Sequence, residues 1–251
     1  MTTHVATTPP APTRSHPHAL ITVPAAAGFA FTATWLAGLA VWPTNPSVHA
    51  AAAKVVSAYA GHQAIAATQY LLVEGLAAIA LAAVLIALGR AAAPRGAGRL
   101  GRVTVLAGIG AVTVSLVECV LGLWLATAAV PTGDTGRAGT LFNVINRLDG
   151  TKMLAFAMMA IAGVALTRRD GPLPRWLGYT AAPLAAAMTA SGIGYLLLNN
   201  TLAMAAAASL PLLLIWVAGT GLALGRHSSS APQCRLTAVR HSTFAARPTR
   251  P

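Results

Sequence analysis

Residues 64–88, AIAATQYLLVEGLAAIALAAVLIAL, form an apolar run that contains a single charged side chain, Glu74. A helix needs about 20 such residues, at about 1.5 Å each, to cross roughly 30 Å of hydrocarbon. This run therefore predicts a transmembrane helix, and similar runs elsewhere in the chain decide the fold.

The 251-residue chain contains six apolar runs, and we predict that each crosses a bilayer as a helix. Only 9% of its residues are charged, whereas soluble domains have roughly 25%. The uncharged part of the fourth run, 153–167, is too short to cross, so its helix must begin earlier. The predicted fold class is all-α, a polytopic membrane helical bundle with short amphipathic outer helices and spans at 19–42, 64–88, 103–130, 148–167, 176–198 and 201–224.

The basic residues predict the orientation of these spans. The chain has 17 Lys and Arg but only 5 Asp and Glu, which gives a net charge of +12. With the N-terminus inside, 13 of the 17 basic residues fall in cytoplasmic segments, as the positive-inside rule requires. We therefore expect both termini in the cytoplasm.

The same bias explains the charge without a nucleic-acid partner. Residues 1–18 and 226–251 are rich in Pro, Ser, Thr and Arg, so we expect disordered tails on either side of a membrane domain at 19–225. Contact of the basic C-terminal tail with DNA or anionic lipid is an open alternative.

Two segments on the predicted outer side show amphipathic helical spacing. One follows Ser47, a candidate helix cap, and runs to Tyr59, while the other covers residues 141–148. Each arm begins with a Pro-Thr pair and ends at a glycine, Gly61 or Gly150. The shared layout indicates a duplicated helix–arm–helix unit, although chance similarity in an Ala-rich chain explains it equally well.

Glu74 and Glu118 lie inside apolar spans and are the strongest candidates for catalytic groups. Each is about 10 residues, or roughly 15 Å, from the outer end of its span, so both are expected at similar depth near mid-membrane. Buried acids at that depth are costly and often functional. Tyr70 and Gln63 share a helical face with Glu74, and Ser115 precedes Glu118 by one turn, so these three are candidate substrate-binding residues. The alternative is a protonated Glu that only links helices.

A polar strip opens the fourth span. Asn146, Asp149 and Lys152 recur every three residues, and Asp149 and Lys152 can pair at this spacing. The strip predicts a binding rim, with Asp149 as a third candidate catalytic acid and Asn146, Arg147 and Lys152 as substrate contacts. The alternative is interfacial anchoring, with Lys152 extended to water.

No cofactor and no metal site are predicted. His49 and His62 both lie on the outer side, so they do not form the intramembrane pair that haem ligation needs. Cys119 lies in a span and Cys234 in the C-terminal tail, so a structural disulfide between them is not expected.

The six-span layout, the segment 146–153 and the run 191–226 resemble uncharacterised small multi-pass membrane proteins of high-GC bacteria, which implies a bacterial plasma membrane. The chain is more loosely similar to small integral-membrane terpene cyclases, helical bundles in which buried acids protonate an isoprenoid or its epoxide. This second resemblance implies that Glu74, Glu118 and Asp149 act as acids.

Three functions remain open. The first is binding or acid-catalysed transformation of a lipophilic substrate at the Glu pair, with isoprenoid cyclisation as the leading example. The second is proton-coupled transport of a small molecule, and the third is a structural or accessory membrane subunit. Membrane lipid and a lipophilic small molecule are the expected partners, while the substrate and the oligomeric state are left undetermined.

Overall fold

The computed structural model describes residues 22–43, 46–93, 98–168 and 171–229. These residues form helices, with no β-strand among them. In chain order the helices are α1 (Val23–Val41), α2 (Ala52–Tyr59), α3 (Gln63–Ala92), α4 (Gly98–Ala129), α5 (Thr135–Ala165), α6 (Arg175–Leu196), α7 (Asn200–Ala203) and α8 (Ala206–Ser229).

The fold is all-helical, as the sequence predicts, and within the described ranges five segments are long and apolar enough to cross a membrane. These are α1, α3, α4, α5 and the α7–α8 segment Asn200–Arg226. The 22-residue α6 is also long enough, but its Gly, Thr, Tyr and Pro residues lower its mean hydropathy. Large apolar side chains such as Ile79, Leu106 and Ile161 are exposed on the outside of the bundle. This architecture is compatible with a multi-pass membrane protein.

The predicted tails lie mostly outside the described residues. Residues 1–18 and 230–251 are among those that the structure does not describe. Residues 226–229 belong to α8, so the last helix continues past the predicted start of the tail at residue 226.

The outer segments agree with the sequence prediction only in part. A short amphipathic helix, α2, is present and buries Val55 and Tyr59, but it begins at Ala52 instead of directly after Ser47. Residues 141–148 do not form a separate helix, because they belong to α5, which runs for 31 residues from Thr135. The helix that carries most of the predicted span 148–167 therefore begins at Thr135, 13 residues before residue 148. Asp149 and Lys152 find partners inside the bundle, so the helix continues through them.

α5 is the central element of the bundle. It packs against α4 and α6, and α2 lies across its first half, while α1 packs against α3 and α8. We call the end of the bundle that carries α2 the α2 end. Towards the opposite end, Leu81, Leu85 and Leu88 of α3 are buried in a large apolar core.

Two glycines allow α5 and α6 to approach closely. A Cβ atom added to Gly150 would lie 2.7 Å from the carbonyl oxygen of Gly192 and 2.8 Å from the backbone nitrogen of Leu196. Both atoms belong to the backbone and cannot rotate away. Small residues at such contacts are typical of packed membrane helices. Because Gly150 directly follows Asp149, this contact also determines where the polar strip lies.

Gly150→Ala is therefore expected to destabilise the protein by about 1–3 kcal/mol through overpacking. The matched control is Gly110→Ala in α4, where an added Cβ would meet no atom within 4 Å. Alanine is the better helix former, so the control should be neutral or slightly stabilising. Thermal unfolding in detergent compares the two variants, and equal melting temperatures would contradict the close α5–α6 packing.

Candidate functional site

Lys152 lies at the centre of three acidic side chains. Its Nζ is 2.8 Å from both carboxylate oxygens of Glu74 and 2.5 Å from Oε2 of Glu118. It is also 2.9 Å from Oδ1 of Asp149. The lysine side chain is only 2% exposed. We call these four residues the acid–lysine cluster. Because its acids come from α3, α4 and α5, one ammonium group links three helices.

The acid–lysine cluster has more acids than bases. With every group ionised, its three carboxylates and one ammonium carry two net negative charges. Removing ions from water costs several kcal/mol each unless they are well paired. The cluster can therefore bind a proton or another positive group, and intramembrane clusters of this kind commonly mark proton or substrate sites.

The two carboxylate oxygens of Glu118 have different surroundings. Oε2 accepts a hydrogen bond from Lys152, whereas Oε1 is buried without a hydrogen-bond partner among the residues that the structure describes. Buried polar atoms are nearly always paired. Oε1 is thus a position for a proton or for a contact with a bound molecule.

Glu74 lies in a π-helical segment of α3, Leu71–Leu76. A π turn inserts one residue into the helix and is frequent at functional sites. The insertion changes which residues share a face with Glu74. Gln69, five residues earlier, lines the site and donates from Nε2 to the carbonyl oxygen of Trp42 at 3.1 Å. Gln63, predicted on an ideal α-helix to share that face, is not among the lining residues.

A cavity of about 200 Å³ extends from the α2 end to the acid–lysine cluster. It reaches from Pro46 and Val48, near the start of α2, to the three carboxylates. This volume is below the 300–1,000 Å³ typical of sites for drug-sized ligands, so it suits a small molecule or one end of a longer one. The polar and aromatic lining residues are Glu74, Glu118, Asp149, Gln69, Asn146, Trp35, Tyr59, Tyr70, Phe142 and Tyr195.

The structure brings together the three predicted acids. Asp149 and Lys152 form the pair that their spacing predicts. The alternative in which Lys152 extends to water is wrong, because the side chain is buried and held by Glu74 and Glu118 as well. Lys152 is not among the lining residues, so the cavity presents the carboxylates and the lysine stands behind them.

The predicted substrate-binding residues divide into two groups. Tyr70 and Asn146 line the cavity, and Asn146 also donates from Nδ2 to the carbonyl oxygen of Phe142 at 2.9 Å. Ser115 is buried but does not line the cavity, and Arg147 is exposed on the outer face of α5. Because Arg147 neighbours the strip in sequence but points away on the helix, its predicted binding role finds no support in the geometry.

Five of the polar and aromatic lining residues were not predicted from the sequence: Trp35, Tyr59, Gln69, Phe142 and Tyr195. The Tyr59 hydroxyl lies 3.0 Å from that of Tyr70. Burial raises the pKa of Tyr59 to about 12, against the opposing effect of this hydrogen bond. Its hydroxyl is therefore neutral at physiological pH. The sequence did contain a signal for two of these five residues. Gln69 is a polar side chain inside an apolar run, and Tyr59 belongs to the amphipathic stripe of α2.

The three carboxylates are close enough to surround a cation. One oxygen from each of Glu74, Glu118 and Asp149 lies within 4.8 Å of the others. The Lys152 ammonium contacts all three, so the chain itself supplies the positive charge at their centre.

No protein-family model matches this chain, and no curated protein or solved structure matches it either. Its function must therefore be argued from the site.

Lys152→Met is expected to destabilise the protein by about 3–5 kcal/mol, because it leaves buried carboxylates without their counter-charge. The loss should shrink as the pH falls, since protonation removes the unpaired negative charges. Adding Glu74→Gln and Glu118→Gln to this variant should recover part of the lost stability, because these changes also remove unpaired negative charges. Thermal unfolding in detergent over a range of pH measures each effect.

The control for this experiment is Lys54→Met, which removes an exposed lysine from α2. It should leave stability unchanged. Equal melting temperatures for Lys152→Met and Lys54→Met would show that the acid–lysine cluster does not hold α3, α4 and α5 together.

Proposed function

We propose that this chain is an integral membrane protein that binds a small lipophilic molecule in the cavity and exchanges a proton with it at Glu118. One observation carries the proposal: Oε1 of Glu118 is buried and unpaired among the described residues, in a side chain that lines the cavity. Lys152 holds the other oxygen and so fixes the orientation of the carboxyl group. A positioned carboxyl group can act as a general acid or base.

The leading reaction is an acid-catalysed conversion of the isoprenoid type. The Glu118 carboxyl group would donate its proton to a carbon–carbon double bond or an epoxide, and the resulting carboxylate would stay paired with Lys152. Positive charge that develops on the substrate would face the aromatic rings of the cavity. Loss of a proton from the cationic product to the same carboxylate would restore the starting state. Glu74 and Asp149 would keep Lys152 in place.

We extend the proposal to the topology. α6 supplies a sixth span, because its 22 residues suffice and it packs against α5 and α8 within the bundle. The resemblance to small membrane proteins of high-GC bacteria is what favours a bacterial plasma membrane. The distribution of basic residues in the sequence supports cytoplasmic termini. With that orientation the α2 end faces outwards, and membrane lipid surrounds the exposed apolar side chains.

Proton-coupled transport is the second candidate, and a specific observation favours it. The cavity reaches the acid–lysine cluster from the α2 end, while Leu81, Leu85 and Leu88 fill the opposite side with buried apolar packing. A binding site open towards one side only is what one state of an alternating-access transporter shows. Vesicles that contain the protein should then show solute flux driven by a pH gradient. Absence of such flux across a panel of small solutes would count against transport.

The enzyme proposal is tested with purified protein in liposomes and a panel of linear isoprenoids and their epoxides. Product analysis by mass spectrometry should show a cyclised isomer, and Glu118→Gln should lower its rate by about 10²–10⁴-fold, the usual contribution of a general acid. No product from any panel member, or equal rates for both proteins, would contradict the proposal.

The control is Thr104→Val, which changes another buried side chain of α4. Among the residues that the structure describes, the Thr104 hydroxyl donates to the carbonyl oxygen of Leu100 within its own helix, and Thr104 is not one of the residues that line the cavity. This variant should keep the full rate. If Glu118→Gln changes only the melting temperature, the structural-subunit alternative is favoured.

A further inference from the structure

We infer that the ligand of this cavity is an organic cation, an ammonium group attached to an apolar body. The inference rests on the proposed function, because it concerns the same lipophilic site: an ammonium ligand would meet Glu118 as a carboxylate, in place of the neutral isoprenoid that the leading reaction brings to the protonated form. It follows from the charge that the cavity presents, from the unpaired oxygen of Glu118 and from the aromatic walls.

The charge of the lining side chains is wholly negative. Glu74, Glu118 and Asp149 line the cavity, and none of the described lining residues is basic. Lys152 neutralises one of the three charges from behind, which leaves up to two uncompensated. In a low-dielectric site a ligand with positive charge gains from this excess, whereas an anion is repelled.

Oε1 of Glu118 provides the point of contact. It is buried and has no hydrogen-bond partner in the described part of the chain, although the same carboxyl group is rigidly held through Oε2. Asp149 is the most exposed of the three acids, with 24% of its side chain accessible. A cation that entered from the α2 end would meet Asp149 and Oε1 of Glu118, because the Glu74 oxygens are both bonded to Lys152.

The remaining walls suit the same ligand. Five aromatic side chains line the cavity: Trp35, Tyr59, Tyr70, Phe142 and Tyr195. Aromatic faces attract ammonium groups, and sites for quaternary ammonium ligands combine such faces with little competing water. The amides of Gln69 and Asn146 each donate one hydrogen bond to a backbone carbonyl oxygen, which occupies one of the two N–H donors of each side chain. A neutral apolar ligand would fit the rings but would gain no charge–charge attraction from the ionised carboxylates.

The experiment compares two probes of the same shape. Benzyltrimethylammonium carries a permanent positive charge, and neopentylbenzene replaces its nitrogen with carbon. Binding of each is measured by titration of the full-length protein in nanodiscs, with empty nanodiscs to subtract partition into lipid. We expect saturable binding of the cation at least about tenfold tighter than that of its neutral isostere, in line with a charge-dependent contact.

Variants identify the site of binding. Glu118→Gln should abolish most of the preference for the cation, Trp35→Leu should weaken cation binding, and the Thr104→Val control should behave as the native protein. Equal or tighter binding of the neutral isostere would overturn the organic-cation inference and leave the proposed lipophilic site standing. Saturable binding of neither probe would overturn both. A preference that survives Glu118→Gln would overturn the assignment to this cavity.

Discussion

The contact between the Lys152 ammonium and the carboxylates of Glu74, Glu118 and Asp149 is the interaction on which the rest of the structure depends. Each of these groups alone would be costly to bury in an apolar bundle. Together they make three helices converge on one point, since the lysine of α5 can reach all the acids only when α3 and α4 pack beside it. The acid–lysine cluster therefore links three helices, and its carboxylates also line one end of the cavity.

Close helix packing positions the acid–lysine cluster. Gly150 lets the backbone of α5 lie against that of α6, and it stands between Asp149 and Lys152 in the chain. On the other side, the π segment of α3 turns Glu74 and Gln69 towards the same space. These two backbone features explain why the polar residues meet at a cavity wall instead of facing lipid. The cavity ends there because the leucines of α3 beyond the π segment are buried in the apolar core.

The candidate site was partly predictable. Glu74, Glu118 and Asp149 stand out in a chain with few acids, and the spacing of Asp149 and Lys152 predicts their pair. The convergence of all four was not predictable, because residues 74, 118 and 152 are brought together only by packing of different helices. Gln63 and Gln69 show a second limit of prediction from sequence. A one-residue π insertion places Gln69 at the site instead of Gln63, and the apolar periodicity of the sequence does not reveal that insertion. Arg147 shows a third limit, because a residue that neighbours the polar strip in sequence need not lie on the same face of the helix as the strip.

By itself, the sequence determined the all-helical class and most of the helices that are long and apolar enough to cross a membrane, because apolar length is a local property of each segment. It also determined which acids would need a partner. Only the tertiary structure decided that Lys152 is that partner and that the acids line a cavity with aromatic walls. It also left one oxygen of Glu118 without a hydrogen-bond partner among the described residues. The physical reason is that pairing of buried charges depends on distances of a few ångströms between helices, and those distances arise from side-chain packing across the whole bundle.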